Sequence, residues 1–461
     1  MLSTGVDPLA PVLLILREWQ TVGPSDDKRL AGRLLLPAEA TEVDILRRAG
    51  VLEVLEVRAG LRVASKSFVG TVRLGSTLTV RVLPKIASGQ EATSGFAALL
   101  GYALGLSDLR LSDRHADTSL EDSGFADIIG LLLLDEINAL LRGGLLREYQ
   151  TRSDWLPSPR GKIDITTLAQ QPARLFGAPA IPCRYSERTT DTPLNRLARA
   201  ALVALAPRVH DPGVAYDLQA RAALLGELCI TVPLTRSLWD TAQATLDRRS
   251  EYYRPVVTLA ALVLDCLGTA VEEREDDRRE EPLPGFLFDM NVLFERLIAR
   301  LLQEYGPSSL RVDAQDSKNS AYRWRSNPYN WQRPRLRPDL VLRDTVSNAP
   351  RLILDTKYKR LGPGHRLSPE DLYQLTLYSL SYADPATNRR FTPARVVYPA
   401  DLPLDERVSR VRPDLEYIGF APSNPTLGQV DILGVSLPTL ATALRTANTT
   451  LLRQFASDIL H

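Results

Sequence analysis

Cysteine and histidine are scarce in this chain. Cys183, Cys229 and Cys266 are odd in number and far apart, which excludes a disulfide framework and reads as buried free thiols. His115, His210, His365 and His461 are scattered, with no zinc-ligand spacing among them. No charge of one sign predominates either: 56 Lys and Arg face 55 Asp and Glu, for a formal charge of +1. The field of the whole molecule therefore cannot steer a polyanion, and any nucleic-acid surface has to be a local patch. No apolar run approaches the roughly 18 residues of a membrane span. Ile128–Leu134, for example, is followed at once by Asp135 and Glu136. The first residues lack a basic segment leading into an apolar core, so a cytoplasmic location without a membrane partner is expected. Nucleotide and hydrolase signatures are missing as well. Arg160-Gly161-Lys162-Ile163 has neither the upstream glycine nor the Ser/Thr of a phosphate-binding loop, and there is no H-E-x-x-H or G-x-S-x-G. The chain itself is expected to bind no nucleotide.

What is present is an ordinary globular composition, 44% hydrophobic and 24% charged. The length of 461 residues suggests about three domains. Residues 1–90 read as a β-rich domain of short strands punctuated by Gly60, Gly70 and Gly75. Residues 91–281 turn mainly helical: 125–141 ends near Gly143-Gly144, and further helices are expected over 193–207, 215–227 and 238–268. A hairpin over 149–165, with Pro157, Pro159 and Gly161 at its tip, interrupts them. The mixed-charge run Glu272–Glu281, closed by Pro282 and Pro284, marks the last boundary. Residues 282–461 predict helix 289–304, strands 310–314, 336–343 and 351–357, helix 369–383, strands 394–398, 416–420 and 429–434, and helix 437–458. The expected fold class is α+β multidomain, ending in an α/β domain with a mixed sheet.

Chemistry concentrates between Arg337 and Lys359. Asp339 follows a proline and opens one strand; Asp355-Thr356-Lys357 closes the next. Residues i and i+2 of a strand share a face, so Asp355 and Lys357 project together while Leu354 and Thr356 point away. A turn through Asp344–Pro350 makes the strands antiparallel and brings Asp339 towards Asp355. Two acids can hold Mg2+, with Mn2+ as the alternative, alongside a substrate phosphate. The lysine can then orient or help deprotonate a water and offset negative charge. The competing reading is a surface salt bridge between edge-strand charges.

Three neighbouring features favour the first reading. In the preceding helix Val292, Glu295, Ala299 and Leu302 form one row, so Glu295 is a carboxylate on an apolar stripe and a third candidate for the metal site; pairing with a core arginine is its alternative. Gln374 and Tyr378 stand at i, i+4 on the following helix and can meet Lys357 or a phosphate, unless they belong to an ordinary amphipathic face. Tyr322–Arg337 carries five arginines, four aromatics and no acid. Arg323, Trp324, Arg325, Arg333, Arg335 and Arg337 are its candidate contacts to DNA, through phosphate neutralisation and stacking. A solvated loop with its Trp packed on the domain is the alternative.

The order of helix, three strands, helix and strand resembles the restriction-endonuclease core of the PD-(D/E)XK superfamily. Across most of its length the chain also resembles the McrC family, nuclease subunits of McrBC-type modification-dependent restriction systems. The resemblance is carried by Leu83-Pro84-Lys85-Ile86, by Gly143-Gly144-Leu145 with Tyr149, and by Arg160-Gly161-Lys162-Ile163-Asp164. It continues through Asp191-Thr192-Pro193-Leu194-Asn195-Arg196, Met290-Asn291-Val292-Leu293-Phe294-Glu295, and Asp339 with Asp355-Thr356-Lys357. It implies a Mg2+-dependent endonuclease for double-stranded DNA, active against 5-methylcytosine-containing DNA in antiviral defence. It also implies a hexameric AAA+ GTPase partner that recognises and translocates the DNA. Arg160, Lys162, Asn195 and Arg196 are then candidates for docking on that ring, with Asp191 as a helix cap for the alternative structural role. A non-catalytic scaffold that only activates the ring, and a stand-alone RecB-like exonuclease, are the readings that compete with it.

Overall fold

The computed structural model describes residues 11–75, 77–85, 92–106, 124–171, 180–267, 269–271, 280–282, 285–316, 325, 335–359, 367–383, 391–400, 407–418 and 426–461. These fall into two units, one of residues 1–125 with 269–461, the other Ala126–Gly268. The grouping differs from three consecutive domains cut at 90 and 281. The middle unit is an insertion in a body built from both ends of the chain.

The glycine-punctuated start folds as strands β1 (Val12–Arg17), β2 (Thr21–Val22), β3 (Leu52–Val57), β4 (Gly60–Ser65), β5 (Phe68–Leu74) and β6 (Leu78–Leu83). They form a β2-β4-β3 sheet and a second sheet in which β6 lies between β1 and β5. Alternate residues such as Leu14, Val54, Val63, Val72 and Val80 face one apolar core. A helix, Pro37–Arg48, went unread in the sequence. It starts at a proline, Glu39 accepts the Leu36 amide at 2.9 Å, and Val43 and Leu46 enter the same core.

In the middle unit the expected hairpin is replaced by a three-stranded sheet. Strands β7 (Glu148–Leu156), β8 (Lys162–Ile163) and β9 (Ile181–Thr189) lie in the order β7-β9-β8. β7 pairs along its whole length with β9, Glu148 opposite Thr189 and Leu156 opposite Ile181, while β8 takes the other edge. Pro157, Pro159 and Gly161 therefore link two strands that do not touch. Gly161, at φ +70°, lies over β9, where a Cβ would come within 2.6 Å of the Arg184 carbonyl. Helices Phe125–Gly143, Pro193–Leu205, Pro212–Gly226, Arg236–Ala244 and Arg254–Leu267 supply apolar faces including Leu197, Leu218, Leu259 and Val263. The single helix expected over 238–268 breaks in two because the Asp247 carboxylate accepts the amides of Arg249 and Ser250, each at 2.9 Å, and turns the chain.

The chain returns to the first unit through β10 (Thr269–Val271) and β11 (Glu280–Pro282), paired antiparallel. The rest of the charged run, 272–279, lies outside the described residues. β12 (Gly285–Asp289) then completes the first sheet by pairing antiparallel with β5, giving the order β1-β6-β5-β12. Beyond it, β13 (Leu310–Ala314), β14 (Leu340–Asp344), β15 (Pro350–Thr356), β16 (Ala394–Ala400), β17 (Val408–Ile418) and β18 (Thr426–Ser436) form a mixed sheet ordered β13-β14-β15-β16-β18-β17. β15, β16 and β18 run parallel, while the pairings β13–β14, β14–β15 and β17–β18 are antiparallel. The Pro369–Ser381 helix lays Leu375 and Tyr378 on Val341, Ile353, Val396 and Val430. Leu340, Leu342 and Leu354 are buried on the other face, so these strands read as apolar runs rather than alternating ones. The terminal helix divides into Leu437–Arg445 and Thr449–Leu460, with Ala447 at φ +48° and Asn448 capping the second piece.

The β5–β12 pairing leaves no room at Gly70, whose φ is +129° and whose Cβ would lie 2.0 Å from the Phe286 carbonyl oxygen. Gly70→Ala is expected to destabilise the protein by at least about 3 kcal/mol, measured by chemical denaturation. Gly143→Ala, where a Cβ meets nothing within 4 Å, should leave stability nearly unchanged. Equal behaviour of the two variants would overturn this account.

Candidate active site

The antiparallel register sets Leu340 of β14 against Leu354 of β15, which places Asp339 beside the end of β15. There its carboxylate is fixed by Thr356: Oδ2 accepts both the Thr356 amide and its hydroxyl at 2.7 Å. Thr356 was expected only to point away from the site; it is instead the clamp on the first acid. Asp355 faces the side covered by the Pro369–Ser381 helix and is 1% exposed. Lys357 Nζ lies 2.7 Å from its Oδ2 in an ion pair without hydrogen-bond alignment, and no donor reaches Oδ1. The surface salt-bridge reading fails on this burial.

Lys357 stands among further partners. Gln374 Oε1 is 3.4 Å from its ammonium and Asp371 Oδ1 3.8 Å. Gln374 in turn donates to the Tyr378 hydroxyl at 2.6 Å, which donates to the Arg337 carbonyl at 3.0 Å. The structure therefore assembles Asp339, Asp355, Lys357, Gln374 and Tyr378 as the sequence suggests. Asp371, three and seven residues before Gln374 and Tyr378 on their helix face, joins them beside Lys357. It closes a capping box with Ser368 and pairs with Lys359 at 2.9 Å.

Glu295 is half-buried on the Met290–Tyr305 helix. No core arginine takes it. Gln315 Nε2 donates to it at 2.9 Å, and Arg337 donates to the Oε1 of the same Gln315. Gln315 adopts φ +49°, and its amide donates to the Asp339 carbonyl at 2.7 Å. Nothing in the sequence singled this residue out; only the return of β13 beside β14 brings it here. Among the described residues no three Asp, Glu, His or Cys side chains converge as metal ligands in this structure. Two carboxylates do fit a hard cation, since Mg2+ is commonly held by one or two with substrate oxygens completing its shell. The buried, unpartnered Asp355 Oδ1 is the observation that supports the fit.

Burial, then the Asp339 charge, pushes the Asp355 carboxyl up to about 6, with Lys357 pulling the other way. Burial and Asp339 also raise Glu295. For Lys357 burial is the largest single influence and opposes its charge, but Asp355, Asp339 and Asp371 together outweigh it and hold its pKa above the ordinary value. Lys357 is thus a fixed cation, able to donate and to offset charge.

Of the arginine-rich segment, Arg323, Trp324 and Arg333 lie outside the described residues, and Arg325, Arg335 and Arg337 are exposed. In the middle unit, Arg160 stacks on Tyr185 at 4.4 Å and Lys162 is exposed on β8, so both are accessible. Asn195 is not. It is 0% exposed, donates to the Leu146 and Thr190 carbonyls and accepts from the Tyr253 hydroxyl, which makes it a tie within the unit rather than a docking residue. Arg196 keeps a partly exposed position in a two-point ion pair with Asp191, at 2.7 Å for each contact. The helix cap here is Thr192, whose hydroxyl accepts the Asn195 amide, and not Asp191. Among the described residues no helix is long and apolar enough to cross a membrane.

A family model described as the McrBC 5-methylcytosine restriction system component matches residues 63–399. Comparison with curated proteins gives no match. Among solved structures, the fold is similar to a chain of the refined half-complex from the tetradecameric assembly of Thermococcus gammatolerans McrB AAA+ hexamers with bound McrC. The identity is 18%, the TM-score 0.58, and the match covers 95% of this chain and 100% of that one. A chain of the cryo-EM structure of the Thermococcus gammatolerans McrBC complex matches at 18% identity and TM-score 0.45, over 64% of this chain and 89% of that one.

Native Asp355 keeps its proton up to about pH 6, whereas the unfolded chain releases it near the ordinary carboxylate value. Between those limits the native state binds more protons, so stability falls as pH rises. Asn imitates the protonated acid and does not titrate. In metal-free buffer Asp355→Asn should match the wild type near pH 4 and exceed its thermal midpoint increasingly to about pH 6, then by a constant margin. Thermal unfolding between pH 4 and 8 checks this; a variant less stable than wild type at neutral pH contradicts it.

Proposed function

Since the chain belongs to the McrBC 5-methylcytosine restriction system component family, we propose that it is the DNA-cleaving subunit of such a system. In this reading it is a Mg2+-dependent endonuclease with a PD-(D/E)XK site, docked on and stimulating an AAA+ GTPase ring that selects and moves the DNA. One observation carries it: Asp355 is held buried with an unpartnered oxygen, beside Lys357 and next to Asp339. A structural protein gains nothing from a half-neutralised acid in its interior.

Asp339 and Asp355 would hold the cation, with Glu295 adding negative charge from behind Gln315. When bound there, the cation supplies Lewis-acid stabilisation of the charge that builds on a phosphodiester in its transition state. Lys357 keeps its proton, turns from Asp355 towards the scissile phosphate, and donates to the oxygen that becomes most negative. Gln374 and Tyr378 limit how far it can swing, and the Asp371–Lys359 pair holds the backbone that follows. Exposed Arg335 and Arg337 lead into the site and would contact phosphates, which fixes register without reading sequence. The near-zero net charge accords with a subunit whose DNA affinity comes from elsewhere. The similar solved chain comes from an assembly of McrB AAA+ hexamers with bound McrC, which supports a ring partner here; Arg160, Lys162 and Arg196 are the accessible candidates to meet it.

Reconstitution with an McrB-like AAA+ GTPase, on methylated and unmethylated DNA with GTP and Mg2+, tests the reading. Asp355→Ala and Lys357→Ala should each reduce cleavage by at least about 100-fold while stimulation of the partner's GTPase persists. Normal cutting by either variant excludes this site. A wild type that stimulates GTP hydrolysis but cuts nothing in any divalent metal leaves the scaffold reading, and degradation of DNA ends without the ring leaves the exonuclease one. Mg2+ alone should raise the thermal midpoint of the wild type more at about pH 8 than at about pH 5, and should not raise that of Asp355→Asn.

A further inference from the structure

The residue after Lys357 is anchored from the other end of the chain. Tyr358, 1% exposed, donates its hydroxyl to Glu18 Oε2 at 2.9 Å. Glu18 follows the last residue of β1 and is itself 3% exposed. The same Oε2 accepts the Lys85 amide at 2.8 Å, just beyond β6, and the Lys85 ammonium lies 5.2 Å from the centre of the Tyr358 ring. The ring also meets Phe294, the residue before Glu295, at 6.0 Å. Glu18 is aimed inward by a tight turn. Trp19 takes φ +60°, the Gln20 amide donates to the Arg17 carbonyl at 3.1 Å, and the Glu18 amide donates to Leu83 at 3.1 Å.

This arrangement is poor for stability. Glu18 Oε1 is buried with no hydrogen-bond partner, and a non-glycine residue is held in the left-handed region beside it. Burial pushes the Glu18 carboxyl up to about 7, with the Asp289 charge adding to that, while the Lys85 amide, the Tyr358 hydroxyl and the Lys85 charge pull it down. A neutral amide or an apolar side chain would be the cheaper filling.

We propose that Glu18 is a positioning residue for phosphodiester cleavage, acting through Tyr358 to set where Lys357 leaves the sheet. Lys357 follows the last residue of β15 and keeps one ladder bond, its amide to the Val397 carbonyl at 2.9 Å. Beyond that, the Lys359 amide turns back to the Lys357 carbonyl at 2.8 Å, and two side-chain ties fix the segment to its surroundings: Lys359 to Asp371 on one side and Tyr358 to Glu18 on the other. With Phe294 against the same ring, the neighbours of Glu295 and Lys357 share a single support. The N-terminal sheet thereby becomes part of the cutting apparatus.

The inference rests on the nuclease reading, and the test separates the two. Single-turnover cleavage by the full chain with its ring partner is compared for wild type, Glu18→Ala, Glu18→Gln, Tyr358→Phe, the Glu18→Ala/Tyr358→Phe double variant and Asp355→Ala. Glu18→Ala and Tyr358→Phe are each expected to slow cleavage by about 10–100-fold, as loss of a supporting contact does. The double variant should be no slower than the slower single one, because both remove the same tie. Glu18→Gln still offers an acceptor oxygen and should restore most of the rate, while GTPase stimulation stays at the wild-type level throughout. If Glu18→Ala does not fold, Tyr358→Phe carries the test, since it removes one oxygen and no packing. Wild-type cleavage by Tyr358→Phe, multiplicative losses in the double variant, or a Gln variant as slow as Ala would each overturn the assignment while Asp355→Ala remains inactive. A wild type that does not cut, or an Asp355→Ala chain that does, removes the nuclease reading and this inference with it.

Discussion

Taking a carboxylate out of water costs several kcal/mol unless a counter-charge comes with it. Asp355 is in that position, and most of the surrounding construction follows from it. Its ammonium partner is Lys357, two residues on along one strand face. Lys357 needs acids of its own once buried, and Asp371 answers from the next helix. Asp371 in turn is satisfied by Lys359 and by the first turn of that helix. Asp339 is fixed beside them by Thr356, and Glu295 accepts from Gln315. The group carries more negative than positive charge at one sheet edge, which burial and mutual repulsion register as raised carboxyl pKa values. Such a site is stable enough to fold and poorly neutralised by its own residues.

The parts legible in the sequence are those written in nearest-neighbour geometry. The shared face of Asp355 and Lys357 follows from the pleat, and the i, i+4 relation of Gln374 and Tyr378 from the helical turn. The C-terminal order of helix, strands and mixed sheet also came through, although the strand expected over 416–420 begins at Val408, and one helix there and one in the middle unit are broken in two. Those breaks arise at Asp247 and Asn448, residues whose side chains compete for backbone amides in a way that apolar periodicity does not register. What stayed hidden was non-local. Gln315 reaches Glu295 only because β13 returns beside β14, and Glu18 meets Tyr358 only because the two ends of the chain share one body. The pairing of β7 with β9 was hidden for the same reason, since the nearer β8 offered itself as a partner. Asn195 shows the opposite error. A polar residue in a quoted motif invited a role at a surface, and the structure buries it as a tie between backbone carbonyls.

The division of the chain sets the proposed chemistry apart from the proposed docking. All six of the catalytic candidates belong to the unit formed by the two ends, and the basic residues offered for partner contact belong to the inserted one. Asp191 with Arg196 and Asn195 with Tyr253 are internal to the insertion.

The pairing of β12 with β5 also has a bearing on how the protein is made. Translation delivers β5 early, yet the strand that covers its open edge is synthesised about 200 residues later. At roughly 5–20 residues per second, that edge waits on the order of 10–40 s beside an emerging polypeptide. The inserted unit is complete before β12 appears, and its folding shortens the free chain that must close between the two strands. During that interval the nascent N-terminal sheet carries an unpaired strand edge of the kind that chaperones shield.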